Sequence, residues 1–182
     1  MDYRLATIWP RQQYTADKAE IITLDIDDPI SQLLLTYEAD NNASGGGATG
    51  HPLKCISKIE LLDDGAPIIE LSGQEAHGID FYHNRREAFS HILYMDGIYS
   101  EVLAPINFGR FLHDPLLALD PKKHGNLQLK VTLDINGGGC SSDDGYLTVL
   151  AWVFDERKVS PIGYLLQKEI KQLTLANASH DY

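Results

Sequence analysis

Seven histidines and two cysteines are the side chains that could bind a metal ion, but their spacing forms no metal-binding motif. Zinc sites usually take ligands from short motifs such as H-E-x-x-H or C-x-x-C. His83 and His91 are eight residues apart, and Cys55 and Cys140 each lack a second cysteine nearby. We therefore predict no metal site and no cofactor. The other histidines are His51, His77, His113, His124 and His180.

Nucleophilic catalysis is not indicated either. Hydrolases place their nucleophile on a strained turn such as G-x-S-x-G, which this sequence lacks. Residues 138–141 form a glycine-rich bend that contains Cys140, but the acidic residues of that turn should raise the pKa of its thiol and disfavour the thiolate. Phosphate-binding glycine motifs are also missing. We predict no catalytic residue, no ligand-binding residue and no enzymatic activity.

Residues 40–51 begin like a calcium-binding loop. Asp40, Asn42 and Ser44 alternate as oxygen ligands would, and Gly45 follows. The twelfth position, normally a bidentate Glu, is His51. With so few carboxylates, the segment is better interpreted as a flexible glycine-rich loop. The functional alternative is an adaptable contact loop that becomes ordered against a partner.

The charge balance argues against a protein that coats nucleic acid. The 182 residues include 26 acidic and 15 basic side chains, which gives a net charge of −11. Phosphate binding needs clustered Lys and Arg, whereas the doublets Arg85-Arg86 and Lys122-Lys123 are typical of solvated faces and turns. No apolar run approaches the ~18 residues of a membrane span. The N-terminus also lacks the pattern of a signal peptide.

Alternation of apolar and polar residues predicts an all-β fold. Residues 127–135 are apolar at every odd position and polar at every even one, the period of a strand with one buried face. Asp63-Asp64-Gly65 predicts a hairpin turn, because Gly adopts positive φ without steric cost. Short strands separated by turns indicate a β-sandwich or barrel. The other predicted strands are 3–9, 20–26, 31–39, 54–62, 67–71, 97–103, 146–154 and 165–175.

Two segments depart from simple alternation. Residues 146–154 are apolar on both faces, so Leu150, Trp152 and Phe154 need a cover. A helix, a second sheet or a neighbouring subunit could supply it. Residues 80–95 place Phe81 and Phe89 at helical spacing, which predicts a helix that crosses one end of the sandwich.

The order of these elements carries a family resemblance. A hairpin over residues 59–73 leads into a helical crossover at residues 82–89, followed by residues 105–110 (Pro-Ile-Asn-Phe-Gly-Arg) and residues 114–121. The alternating strand and residues 159–171 come next. In this order, residues 20–175 resemble the upstream jelly roll of the double-jelly-roll major capsid proteins of tailless icosahedral viruses. In that family, a strand resembling residues 163–175 commonly bridges toward a second barrel.

The resemblance implies a jelly-roll β-sandwich of about eight antiparallel strands with one short helical crossover. We expect a single domain over residues 1–182, with residues 1–19 as a candidate N-terminal arm and residues 176–182 as a C-terminal tail. The implied role is a structural capsid subunit of the virion, assembled in the host cell cytoplasm. Its implied partners are further copies of itself, a second capsid chain, or both. The resemblance also implies possible contact with an internal membrane or other virion proteins. It implies no direct binding of nucleic acid.

Several alternatives stay open at this point. The family's chain is about twice as long, so this sequence could be a single-jelly-roll relative, a half-length product with a separate partner chain, or another β-sandwich. A different function is a carbohydrate- or receptor-binding module, with Trp9, Tyr94, Tyr99 and Trp152 as stacking platforms. An enzyme of the cupin or hydrolase type ranks last, because no ligand or nucleophile set is present.

Overall fold

Two antiparallel sheets form a sandwich. The computed structural model describes residues 2–41, 49–93, 95, 97–140 and 144–169. Within these ranges the strands are β1 Tyr3–Tyr14, β2 Lys18–Thr23, β3 Ile30–Asp40, β4 Ile56–Asp63, β5 Ala66–Leu71, β6 Ser90–His91, β7 Tyr99–Asn107, β8 Leu127–Leu133 and β9 Gly145–Phe154. The five-stranded sheet has the order β1-β9-β3-β7-β6, and the four-stranded sheet has the order β2-β8-β4-β5. This is the double Greek key of a jelly roll, so the predicted fold class is confirmed.

The core lies between the two sheets, where their alternating apolar faces meet. The odd positions of residues 127–135 are all buried, as their alternation predicts. From the opposite sheet, alternate residues of β3, β7 and β9 fill the same core. Its fully buried members from these three strands include Leu33, Leu35, Tyr37, Val102, Ala104, Ile106, Leu147, Val149 and Val153.

The hairpin between β4 and β5 has the predicted turn. Asp63 pairs with Ala66, which leaves Asp64 and Gly65 as a two-residue loop. Both have positive φ, 49° and 84° respectively, as a type I′ turn requires. Gly supplies that conformation without cost, and Asp tolerates it better than most residues.

The helix lies earlier in the chain than its predicted position. Helix α1 spans Gly73–Asn84, so the prediction of a helix over residues 80–95 is wrong for most of its length. Its start is fixed by a capping box: the Ser72 hydroxyl accepts from the Glu75 N–H at 3.2 Å, and Glu75 Oε2 accepts from the Ser72 N–H at 2.7 Å. Its end is fixed by Arg85, which has a left-handed conformation with φ 54°. Beyond it, Ser90 belongs to β6 and pairs with Val102.

We expect Ser72→Ala to lower the free energy of unfolding by about 1 kcal/mol, because it removes the side-chain half of this capping box. Chemical denaturation would measure the change, with Thr15→Ala at an exposed turn as the control. An equal effect of the two substitutions would show that the capping box contributes no stability.

Element boundaries differ from prediction at several places, among them β7, which was predicted over residues 97–103 and spans Tyr99–Asn107. Residues 3–14 of the candidate N-terminal arm form β1, which pairs with β9 along the edge of the sheet. Strand β2 ends at Thr23, three residues early. A 3-10 helix, Pro52–Cys55, replaces the start of the strand predicted over 54–62. In the predicted strand 165–175, Lys168 makes a single parallel bridge to Glu70. Residues 170–175 and the tail at 176–182 lie outside the described residues.

Candidate assembly surface

The outer face of the five-stranded sheet, turned away from the core, carries an apolar surface. Two rows of residues that pair across strands build it. One row joins Leu5 to Trp152, and the next joins Leu150 to Leu34 and Leu34 to Pro105. Because side chains alternate along strands, these residues project from the same face. We call Leu5, Leu34, Leu103, Pro105, Leu150 and Trp152 the outer patch.

Segments of the same chain cover this face only in part. Phe154 is fully buried beneath the rings of Tyr3 and His113, at centroid distances of 5.4 and 6.1 Å. Leu150 and Trp152 keep partial exposure. Of the three residues predicted to need a cover, one is therefore covered within the chain.

Two further aromatic and aliphatic side chains border the outer patch. Phe89, in the segment after α1, is 63% exposed, and Leu112, in the loop after β7, is 44% exposed. Together with Trp152 they line a cleft of about 290 Å³ that runs along the patch. Large side chains so exposed beside an apolar sheet face are typical of a contact surface for another protein.

A buried chain of polar side chains lies beneath the cleft. Gln32 donates to Asn107 at 2.6 Å, and Asn107 donates to the Asp80 carboxylate at 2.7 Å. Asn84 donates to the same Asp80 oxygen at 2.7 Å. These bonds tie the end of α1 to β7 and β3. They hold the helix and the segment that follows it in a fixed position beside the patch.

A ring cluster at the edge of the patch anchors the start of β1. The rings of Tyr3 and His113 stack at 3.7 Å, and His113 meets Trp152 edge-on at 5.5 Å. The backbone N–H of His113 donates to the Ser31 hydroxyl at 2.7 Å. Burial lowers the pKa of His113, so its ring is neutral near pH 7 and packs as an aromatic group.

The loop that carries Leu112 is braced by Asp114. Its fully buried carboxylate accepts from the Arg110 guanidinium at 2.7 and 3.1 Å and from the Leu116 N–H at 3.0 Å. The Arg110 guanidinium, more than the backbone donors, holds the pKa of Asp114 well below its usual range. The loop is therefore held rigidly by an ionised carboxylate.

We expect Asp114→Asn to lower the free energy of unfolding at pH 7 by about 2 kcal/mol, because hydrogen bonds to a buried charge are lost. A carboxyl whose pKa is depressed by folding stabilises the protein above its unfolded pKa of about 3.9. This contribution is lost as the pH falls below that value. The difference between wild type and variant should therefore shrink in unfolding experiments below about pH 4. Asp25→Asn, at an exposed carboxyl, is the control, and a pH-independent difference would contradict the account.

The other half of the same sheet face is polar and internally paired. The Arg11 guanidinium forms two hydrogen bonds of 2.7 Å with Glu38 and lies 3.4 Å from the centre of the Tyr146 ring. Next to it, the Tyr99 hydroxyl donates to Asp144 at 2.9 Å. These charges already have partners, so the apolar half is the part of the face best suited to a new contact.

Four of the histidines considered as metal ligands make other contacts. His51 caps the 3-10 helix at residues 52–55 by accepting from the Leu53 N–H. His77 contacts the Leu103 carbonyl, His83 the Arg110 carbonyl, and His124 the Asp63 carboxylate at 2.7 Å. Across the described ranges, no three His, Cys, Asp or Glu side chains converge on a point that could hold a metal ion. Most of the calcium-like loop lies outside those ranges.

Two other sequence interpretations are corrected or refined. Cys55 and Cys140, whose pairing the sequence leaves open, lie together in the fold. The thiol of Cys55 lowers the pKa of Cys140 by hydrogen bonding, which outweighs burial and the nearby acidic residues. The prediction that the pKa of this thiol is raised is therefore wrong.

In the basic doublet at 122–123, Lys122 pairs with Asp27 at 3.1 Å and Lys123 with the Pro161 carbonyl.

Trp9 and Trp152, two of the aromatic residues proposed as a stacking platform, lie on opposite faces of the five-stranded sheet. Trp9 packs against the core and donates to the Tyr14 hydroxyl at 3.2 Å. Trp152 projects from the opposite face of the sheet, and Tyr99 lies in its polar half. Tyr94 lies outside the described residues.

The described part of the chain contains no helix long and apolar enough to span a bilayer.

Similar architectures occur in virus capsid proteins. The major capsid protein of STIV matches with a TM-score of 0.64 at 11% identity, over 85% of this chain and 49% of that one. PBCV-1 VP54 matches with a TM-score of 0.58 at 15% identity, over 84% of this chain and 42% of that one. The fold is a capsid-type jelly roll. A second structure, of Sulfolobus Turreted Icosahedral Virus, matches this jelly roll with a TM-score of 0.60 at 12% identity, over 82% of this chain and 45% of that one.

Sequence comparison adds nothing to these structural matches. No protein-family model matches the chain, and no curated protein matches it in sequence. The chain spans less than half the length of the capsid chains that share its jelly roll. TM-scores of 0.58 and 0.64 show that the fold is shared. At 15% and 11% sequence identity, these matches show the fold alone.

Proposed function

We propose that this chain is a structural subunit of an icosahedral virus capsid and that copies of it associate through the outer patch. The observation that carries the proposal is a partly exposed apolar sheet face, bordered by the exposed side chains of Phe89 and Leu112, on a jelly roll like those of the capsid proteins. Trp152 and the bordering Phe89 offer the large aromatic side chains that are enriched at protein interfaces. The proposed role is structural and non-enzymatic.

The distribution of charge supports a second copy of the chain as the occupant of the patch. At a net charge of −11, two copies repel each other over most of their surfaces. The cleft along the patch is lined by one residue of each sign, Arg86 and the buried Asp80. Two copies can therefore approach there without like-charge repulsion.

The remaining features of the proposal follow from the capsid role. The virion is the proposed location, with assembly in the host cell cytoplasm. Other virion proteins or an internal membrane are the proposed further contacts. Direct binding of nucleic acid is not part of the proposal, because the acidic balance of the chain opposes it.

Solution mass and particle shape test this function. The full chain is purified and studied by light scattering after size exclusion over a concentration series, with negative-stain images of the same peaks. Trimers, hexamer-like rings or closed shells are expected. A 20.3 kDa monomer at every concentration would contradict self-association. If a stable complex formed only with a different capsid chain, that chain and not a second copy would be the partner at the outer patch.

A further inference from the structure

Cys55 and Cys140 are brought together although 85 positions separate them in the sequence. Cys55 ends the 3-10 helix that precedes β4, and Cys140 follows a second 3-10 helix, Gly137–Gly139. Both are free thiols, and both are buried, with 0% and 3% exposure. The chain has no other cysteine, so the pair has no competing partner within one copy.

The turn at residues 137–140 positions the two thiols against each other. The Gly137 carbonyl accepts from the Cys55 thiol at 3.1 Å and from the Cys140 N–H at 3.5 Å. Gly137 also packs on the backbone of Cys55, where a Cβ at this glycine would lie 2.6 Å from the Cys55 nitrogen. Because both cysteines hydrogen-bond the same carbonyl oxygen, they lie side by side in the fold.

We propose that Cys55 and Cys140 form a redox-active dithiol that hydrogen peroxide converts to an intramolecular disulfide. Among the described residues, no group of three metal-ligating side chains includes the two cysteines. The pair also lies on the far side of the five-stranded sheet from the outer patch, since it contacts the core. The proposal is therefore independent of the proposed assembly surface.

The two cysteines have different roles in the reaction. Cys140 is the less buried of the two thiols, with 3% exposure against 0%, and is therefore the first that peroxide can reach. The neighbouring Cys55 lowers the pKa of Cys140, whereas the pKa of Cys55 is raised. The Cys140 thiolate attacks one peroxide oxygen, the O–O bond breaks, and the released hydroxide takes up a proton to become water. Cys140 is then a sulfenic acid.

The second step closes the disulfide. The Cys55 sulfur attacks the Cys140 sulfur, its thiol proton is transferred to the departing hydroxyl, and the S–O bond breaks to release a second water. The balance is two thiols and one peroxide giving one disulfide and two waters. Peroxide accepts the two electrons. It is small enough to enter through a local opening of the glycine-rich turn.

The new bond would tie the start of β4 to the turn that leads into β9, and so would link the two sheets. It closes a long loop, and long loops gain the most stability in the chain-entropy description of disulfides. We expect the oxidised protein to unfold at a temperature about 10 °C higher than the reduced protein.

Oxidation of the folded, full-length protein tests the inference. After treatment with hydrogen peroxide, intact mass spectrometry should show a species about 2 Da lighter, which dithiothreitol reverses. Non-reducing proteolysis should give one linked peptide pair containing Cys55 and Cys140. The melting temperature should rise with the same dose dependence as the linked peptide.

Single variants provide the control. Cys140→Ser should form no cross-link and should leave Cys55 largely unreacted at the dose that oxidises the wild type. Sulfinic or sulfonic acid on wild-type Cys140 without any linked peptide would overturn the inference. So would a disulfide that joins two copies of the chain in place of the two cysteines of one copy.

Discussion

Val131→Asp should abolish folding. Val131 is fully buried at the centre of β8, where it pairs with Ile59 on one side and Glu20 on the other. An aspartate there would place an unpaired carboxylate in the core between the sheets. Burying such a group costs more than about 4 kcal/mol, a large share of the ~5–15 kcal/mol that stabilises a typical domain. The expected result is loss of the cooperative unfolding transition in circular dichroism.

The adjacent residue supplies a matched control. Thr132→Asp adds the same charge to the same strand but on the face turned away from the core, where the native side chain is partly exposed. It should fold, with a loss of about 1 kcal/mol or less. If Val131→Asp unfolded with the same midpoint as Thr132→Asp, the assignment of the buried face of β8 would be wrong.

Leu150→Arg should prevent association while leaving the fold intact. Leu150 lies in the middle of the outer patch, paired with Thr7 and Leu34, and it is only partly buried in the single chain. In an assembled contact, an arginine there would be desolvated without a partner. We expect association to weaken at least about 30-fold, which corresponds to ~2 kcal/mol. Sedimentation velocity would measure the loss.

Two further variants separate the patch from the rest of the sheet. Phe89→Asp alters the border of the patch at a largely exposed side chain and should also weaken association. Thr148→Arg, on the same strand and face but in the polar half, should associate like the wild type. Equal effects of Leu150→Arg and Thr148→Arg would show that the apolar patch has no special role.

The strands could be predicted because the alternation of apolar and polar residues within a strand indicates which of its faces is buried. Residues 127–135 alternate strictly, and the structure buries every apolar position of that segment. Helix α1 was misplaced for a physical reason. The apolar spacing after residue 80 continues past the point where Arg85 turns the backbone into the left-handed region. The true start is marked in the sequence by the capping pair Ser72 and Glu75.

The assembly surface could be predicted only in part. The two-sided apolarity of residues 146–154 predicts that Trp152 and Leu150 need a cover, and the structure leaves both side chains partly exposed. The rest of the patch comes from β1, β3 and β7, which only the strand order brings beside β9. The polar chain from Gln32 through Asn107 to Asp80 likewise spans residues far apart in sequence. Contacts between residues so far apart in sequence cannot be predicted from the pattern of neighbouring residues.

A cryo-electron microscopy reconstruction of the associated protein would show which surfaces of the copies meet. We expect a neighbouring copy to cover Leu150 and Trp152 and to bury about 800 Å² per copy, the size of a specific interface. A reconstruction in which the copies touch through other surfaces, with the outer patch facing solvent, would contradict this expectation.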